Sequence, residues 1–263
     1  MSSGKRQVVL FITEGSSDDA ALTLPLRALF AEEGLSDQIE CAVFGTDPLI
    51  HEYRDGGNPA LADEYKVIER IKDCIKDFLA IQAGKIGEED IACVAVLSDL
   101  DACYCNDDSV VFRRDKDIEY DLESRVIRCK NKPYITERNA KKRDALGILI
   151  SDQFIQVGGR RKAVPLGVFY MNINLECALY HDNNPHTEEE KQQLARVFRA
   201  KYKHDAAGFR ELLSTVNLEA ASYENSLSDP YLHRHAFDRM SNLLNVTNWI
   251  KKSVHLESPP AQE

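Results

Sequence analysis

At 263 residues, 43% hydrophobic and 29% charged, the chain has the composition of a soluble globular protein: one sizeable domain, or a domain with an extension. No run reaches the roughly 18 apolar residues of a membrane span, and the apolar run after Lys5 and Arg6 stops at Glu14, too soon for a secretory signal. A net charge of −10, from 33 basic and 43 acidic residues, argues against broad adhesion to nucleic acid while leaving room for a local basic groove.

Taken in order, Gln7–Thr13 (QVVLFIT) is a short apolar, β-branched run and predicts a central strand. It ends at Glu14-Gly15-Ser16-Ser17-Asp18-Asp19, where a serine can cap a helix whose first turn is acidic. That helix runs through Leu22, Leu26, Leu29 and Phe30 to Gly34, with a kink expected at Pro25. Gln38–Phe44 predicts a second strand. Residues 45–60 form a loop around Gly56-Gly57-Asn58-Pro59. Leu61–Ala83 is the clearest helix, with Tyr65, Ile68, Ile71, Ile75, Phe78 and Leu79 spaced by threes and fours on one face.

Ile91–Leu97 is the next strand, and it leads to Ser98-Asp99-Leu100-Asp101. Beyond it, Asn106–Glu123 is polar and expected to be a loop or lid. Residues 125–143 reverse sign, with eight bases against Glu137 alone, and pass into a helix reaching about Phe154. A second basic knot, Arg160-Arg161-Lys162, follows Gly158-Gly159. Pro165–Met171 predicts a fourth strand, and Asn172–Asn174 lead into a helix containing Glu176. From about His181 helical patterns dominate: 187–203, 205–214 and roughly 230–252. The tail from Glu257, with Pro259-Pro260, is expected to be disordered. Strands alternating with helices up to residue 180 imply a mainly parallel sheet flanked by helices. The division expected is an α/β domain over 1–180 and a helical extension over 181–263.

Seven cysteines, an odd number with no Cys-x-x-Cys, point to reduced thiols and a cytoplasmic setting. Cys103-Tyr104-Cys105 lacks the second pair that a zinc site needs. The chemistry concentrates instead at Asp99 and Asp101. Side chains two apart on a strand share a direction, and the carboxyl ends of parallel strands are where open α/β sheets hold ligands. Two carboxylates so close repel unless a cation or shared proton compensates. Oxygen ligands of this kind suit Mg²⁺ or Mn²⁺.

Glu14-Gly15 with Asp18 and Asp99-x-Asp101 thus stand at the ends of two apolar strands. In this the sequence resembles the Toprim superfamily, the catalytic fold of topoisomerases, bacterial primases, overcoming-lysogenization-defect nucleases and a ribosomal RNA maturase. The matching pieces are Val9–Asp18 and Ala95–Asp101, within residues 7–102 or as far as 180. Their 85-residue separation is longer than in compact members. No zinc-ribbon module and no P-loop Gly-x-x-x-x-Gly-Lys occurs. The chain looks like a small stand-alone Toprim protein of the kind found in bacterial nuclease and phage-defence systems. The resemblance implies a metal-dependent nuclease in which Asp99 and Asp101 hold Mg²⁺, Glu14 is a ligand or the general acid/base, and Asp18 is an accessory ligand or helix cap.

Glu176 is a candidate extra carboxylate, although an exposed helix acid is its simpler reading. Lys141, Lys142, Arg160 and Arg161 are candidates to track a phosphate backbone. His233 and His235, alternate on a helix, face different ways, and His181 and His186 flank a polar loop. Trp249 with its aliphatic neighbours reads as core or a homo-oligomer contact. Two other functions compete: a Mn²⁺-dependent nucleotide-sugar glycosyltransferase, which leaves Glu14–Asp18 without a role, and a non-catalytic Toprim-like sensor or effector docked on a partner ATPase.

Overall fold

In a computed structural model, which describes residues 7–45, 50–51, 60–61, 67–82, 84–158, 162–217 and 222–254, the first apolar run is β1 (Gln7–Thr13). Every residue after Gln7 is buried, because helices cover both of its faces. Helix α1 (Ser16–Glu32) begins where Asp18 reaches back to accept from the Gly15 N–H at 3.2 Å. It runs through buried Pro25 as one helix and stops before Gly34, at φ +69°. Strand β2 (Ile39–Gly45) follows, then a two-residue antiparallel pair, β3 (Ile50–His51) with β4 (Ala60–Leu61). Helix α2 (Val67–Gln82) is shorter than the expected 61–83, since Leu61 pairs in β4; of the expected stripe it buries Ile71, Ile75 and Phe78, with Ile68 and Leu79 partly buried, and it adds Val67 and Cys74. Strand β5 (Ile91–Asp99) is buried from end to end except at Asp99.

The polar stretch after β5 is not a bare loop. It holds β6 (Val110–Phe112) and β7 (Ile118–Asp121), which with β8 (Val126–Cys129) make a small sheet ordered β6-β8-β7. Strands of three or four residues with half-exposed faces leave no apolar run to read. Helix α3 (Lys132–Ser151) is capped by Asn131, which accepts from the Tyr134 N–H. Then β9 (Phe154–Val157) turns back against β10 (Lys162–Met171). The main sheet is ordered β2-β1-β5-β10-β9, parallel throughout except for β9 on its edge.

Beyond a π-helical turn over Glu176–Tyr180 come α4 (Glu188–Tyr202) and α5 (Ala206–Val216). The helix expected over 230–252 is broken. Short α6 (Tyr223–Ser226) and α7 (Asp229–Arg234) precede α8 (Val246–Ser253), and between them Met171 bridges to Ser241. Asn242 accepts from the Tyr170 N–H at 2.8 Å and donates to the Val168 carbonyl at 3.2 Å. The residues after 181 share the sheet's core: Phe198, Phe209, Leu213, Val246 and Ile250 pack with Val9, Phe11 and Phe169. Side chains alternate along the central strands, so Cys93, Ala95 and Leu97 face α1, α4 and α5, while Val94 and Val96 face α2 and α3. Among the described residues no helix is long and apolar enough to cross a membrane. The Gly56–Pro59 turn, Tyr65, Arg160, Arg161 and the tail from Glu257 lie outside the described residues.

Candidate metal centre

Parallel pairing sets Thr13 beside Leu97, so the segments leaving β1 and β5 emerge together at the carboxyl edge. There the Glu14 carboxylate accepts from the Asp99 N–H at 3.1 Å and from the Ser98 hydroxyl. Eighty-five residues of separation are closed by one register. Glu14 and Asp99 therefore meet. Asp18, on the first turn of α1, is close enough for its charge to repel that of Asp99. Glu176 arrives from the far side of β10 on the π-helical turn and repels Asp18.

Asp101 parts company with Asp99. The strand ends at Asp99, and both Asp101 and Ala102 take left-handed backbone, φ 51° and 52°. This sparsely populated conformation breaks the period-two alternation that would have aimed the two carboxylates together. Asp101 turns instead to Lys142, whose ammonium lies 2.7 Å from its Oδ2, while the Tyr120 hydroxyl donates to its Oδ1 at 2.9 Å. Arg138 donates to the Asp101 carbonyl at 3.1 Å and to the Tyr120 hydroxyl at 3.3 Å. Lys142 also stands 3.3 Å from Glu14 Oε1.

The electrostatics divide the same way. Burial, then the charges of Glu14, Asp18 and Asp101, push Asp99 well above the usual carboxylate range despite Lys142. Burial and the Glu176 charge raise Asp18 to about 7. Burial works against ionising Asp101, but Lys142, Arg138 and Tyr120 outweigh it and hold the carboxyl at about 2. For Lys142, burial disfavours the charge, yet Asp101 and Glu14 prevail and raise its proton affinity well above the ordinary lysine range. Lys191 of α4 stays charged because Glu176, Glu188 and Asp99 overcome its partial burial.

Lys142, expected on an exposed basic face, is fully buried, with 0% of its side chain accessible. Its position on α3 turns it under the sheet edge rather than toward solvent, which removes it from any surface that tracks a phosphate backbone. Lys141 is exposed and paired with Glu137 at 2.6 Å. Glu176, for which an exposed helix acid was the simpler expectation, is 4% exposed, and its side chain makes no hydrogen bond or ion pair among the described residues. Ser98, Tyr120, Arg138 and Lys191 complete the centre, and no local pattern marked them. The histidines stay apart: His235 pairs with Asp238, His233 lies 3.6 Å from Asp229, His186 lies 3.1 Å from Asp182, and His181 meets Arg239. All seven cysteines are buried free thiols.

The donors at this edge are hard carboxylate oxygens, the set that suits Mg²⁺ or Mn²⁺. Glu176, with no side-chain hydrogen bond or ion pair among the described residues and with Lys191 only at longer range, leaves an uncommitted oxygen donor beside Asp18. Among the described residues, no three His, Cys, Asp or Glu side chains already converge as ligands of one ion, so binding requires the carboxylates to close in. Comparison with known proteins brings no family model, no curated relative and no solved structure that matches this chain.

Proposed function

We propose that this protein is a divalent-metal-dependent nuclease that cleaves phosphodiester bonds of DNA or RNA on a Toprim-like sheet, of the type that serves phage defence. The observation that carries the reading is the hydrogen-bonded meeting of Glu14 and Asp99 over the carboxyl edge of the parallel sheet, with Asp18 near enough for its charge to repel Asp99 and Glu176 near enough to repel Asp18. Asp18, Asp99 and Glu176 would hold Mg²⁺ or Mn²⁺. When bound, that ion supplies positive charge for the oxygens on which negative charge gathers during phosphoryl displacement.

The chain's own groups supply the rest. Ser98 and the Asp99 N–H orient the Glu14 carboxylate toward the cluster, where it can take the proton of an attacking water. Lys142, 3.3 Å away, faces the Glu14 carboxylate with a positive charge. Lys191 brings a second positive charge to the Asp99–Glu176 side, suited to a substrate phosphate. The assay is cutting of plasmid, single strands and transfer RNA with Mg²⁺, with Mn²⁺ and with chelator. Metal-dependent cutting is expected in the native protein and lost in Asp99→Asn; cutting that survives the substitution overturns the assignment.

One observation favours a second reading. Asp101 is already neutralised inside the protein by Lys142, Tyr120 and Arg138, as suits a Toprim-like sensor or effector subunit that docks on a partner such as an ATPase. That reading predicts no cutting under any metal, and a stable complex on purification from the native host.

A further inference from the structure

We propose that each chain takes a single divalent ion, on the side formed by Asp18, Asp99 and Glu176, and that the Lys142 ammonium is a built-in cation standing where a second ion would bridge Glu14 and Asp101. The inference rests on the metal-dependent reading above and fixes the number of ions and the side on which they bind.

Geometry is the first ground. The Lys142 ammonium lies 2.7 Å from Asp101 and 3.3 Å from Glu14, between two carboxylates that stand at the ends of separate strands. Both oxygens of Asp101 are engaged, one by Lys142 and the other by the Tyr120 hydroxyl. For Asp101 to ligate a metal, it would have to release a fully buried ammonium onto Glu14 alone. Stripping a partner from a buried charge is strongly unfavourable. The backbone is committed as well. Consecutive left-handed residues at Asp101 and Ala102 persist only where the surroundings over-determine them. Here the Asp101 N–H donates to the Ile173 carbonyl at 3.0 Å, and Arg138 holds the Asp101 carbonyl.

Charge is the second ground. The Lys142 ammonium and the Arg138 guanidinium place positive charge on the side of Asp101 and Glu14, whereas Asp18, Asp99 and Glu176 make no ion pair among the described residues and face Lys191 only at longer range. Glu176 gives the third ground, since it is 4% exposed, its carboxylate makes no hydrogen bond or ion pair among the described residues, and it lies near enough to Asp18 for the two charges to repel. The unspent ligand is thus on the face covered by α1 and α4, whereas Lys142 enters from α3 on the other.

Titration of the full-length, metal-free protein with Mn²⁺ tests this, reading ions bound per chain by calorimetry and by loss of the free-ion electron paramagnetic resonance signal. One ion is expected in the native protein and one in Asp101→Asn. Asp99→Asn should show no saturable binding, and Lys142→Met should take two ions. Two ions in the native protein, or none in Asp101→Asn, would overturn the inference while leaving metal-dependent cleavage standing. A single ion in folded Lys142→Met also overturns it. No binding in the native protein defeats both this inference and the function it rests on. Should Lys142→Met fail to fold, Lys142→Gln is read the same way, and the native and Asp101→Asn counts still decide the stoichiometry.

Discussion

Replacing Lys142 with Met should cost far more stability than any surface charge does. The ammonium sits 2.7 Å from one carboxylate and 3.3 Å from another with none of its side chain exposed. At an effective dielectric constant of about 20, these separations correspond to gross attractions of roughly 6 and 5 kcal/mol. Desolvation of the three charges consumes much of that, and removing one partner of a buried pair typically costs about 3–5 kcal/mol. Out of a total stability of roughly 5–15 kcal/mol, such a loss is large. It should be visible as a lowered urea midpoint, followed by far-ultraviolet circular dichroism in chelator. Raising the salt should change it little, because a buried pair is poorly screened. The double variant Lys142→Met/Asp101→Asn removes both charges and should recover about 2 kcal/mol relative to the single lysine variant. A loss under about 1 kcal/mol, the range of exposed pairs, would refute the reasoning. So would a double variant no more stable than the single one.

Asp18 holds its proton more tightly when folded, about 7 against 3.8 unfolded. Its contribution is therefore fully present below pH 3.8 and lost as pH rises through about 7, a fall of up to about 4 kcal/mol. Unfolding measured across that window in chelator should show the fall, and Asp18→Asn should flatten it. Gly45→Ala would put a Cβ 2.7 Å from the Gly15 carbonyl oxygen, backbone against backbone; because Glu14 immediately precedes Gly15, both a stability loss of about 1–3 kcal/mol and weaker Mn²⁺ binding in calorimetry are expected. Asn242→Ala strands the Tyr170 N–H and the Val168 carbonyl inside the core and should cost about 3 kcal/mol in urea unfolding, with Mn²⁺ binding unchanged.

The central strands were legible because burial on both faces writes itself as an unbroken apolar run, as in Gln7–Thr13 and Ile91–Leu97. The helical stripe of α2 was legible through its spacing, and Asp18 through its place in a helix's first turn. The small sheet β6–β8 was not, since its short strands lie in polar surroundings and expose Val111, Phe112 and Ile118. Nor was β9, a four-residue edge strand that alternates between exposed and buried. The break between α7 and α8 was hidden because the chain there follows hydrogen bonds to β10, made by Asn242, rather than its own periodicity.

By itself, the sequence determined that two apolar strands end in acids, and strand periodicity with parallel order was enough to bring Glu14 to Asp99. Only tertiary structure decided how that acidity is balanced. Lys142 belongs to a helix forty-one residues beyond Asp101, and Lys191 to one farther still. A charge's partner depends on distance through space, which a local pattern of residues does not encode. The same basic letter that suits an exposed phosphate contact became, once folded, an ammonium shut between two carboxylates.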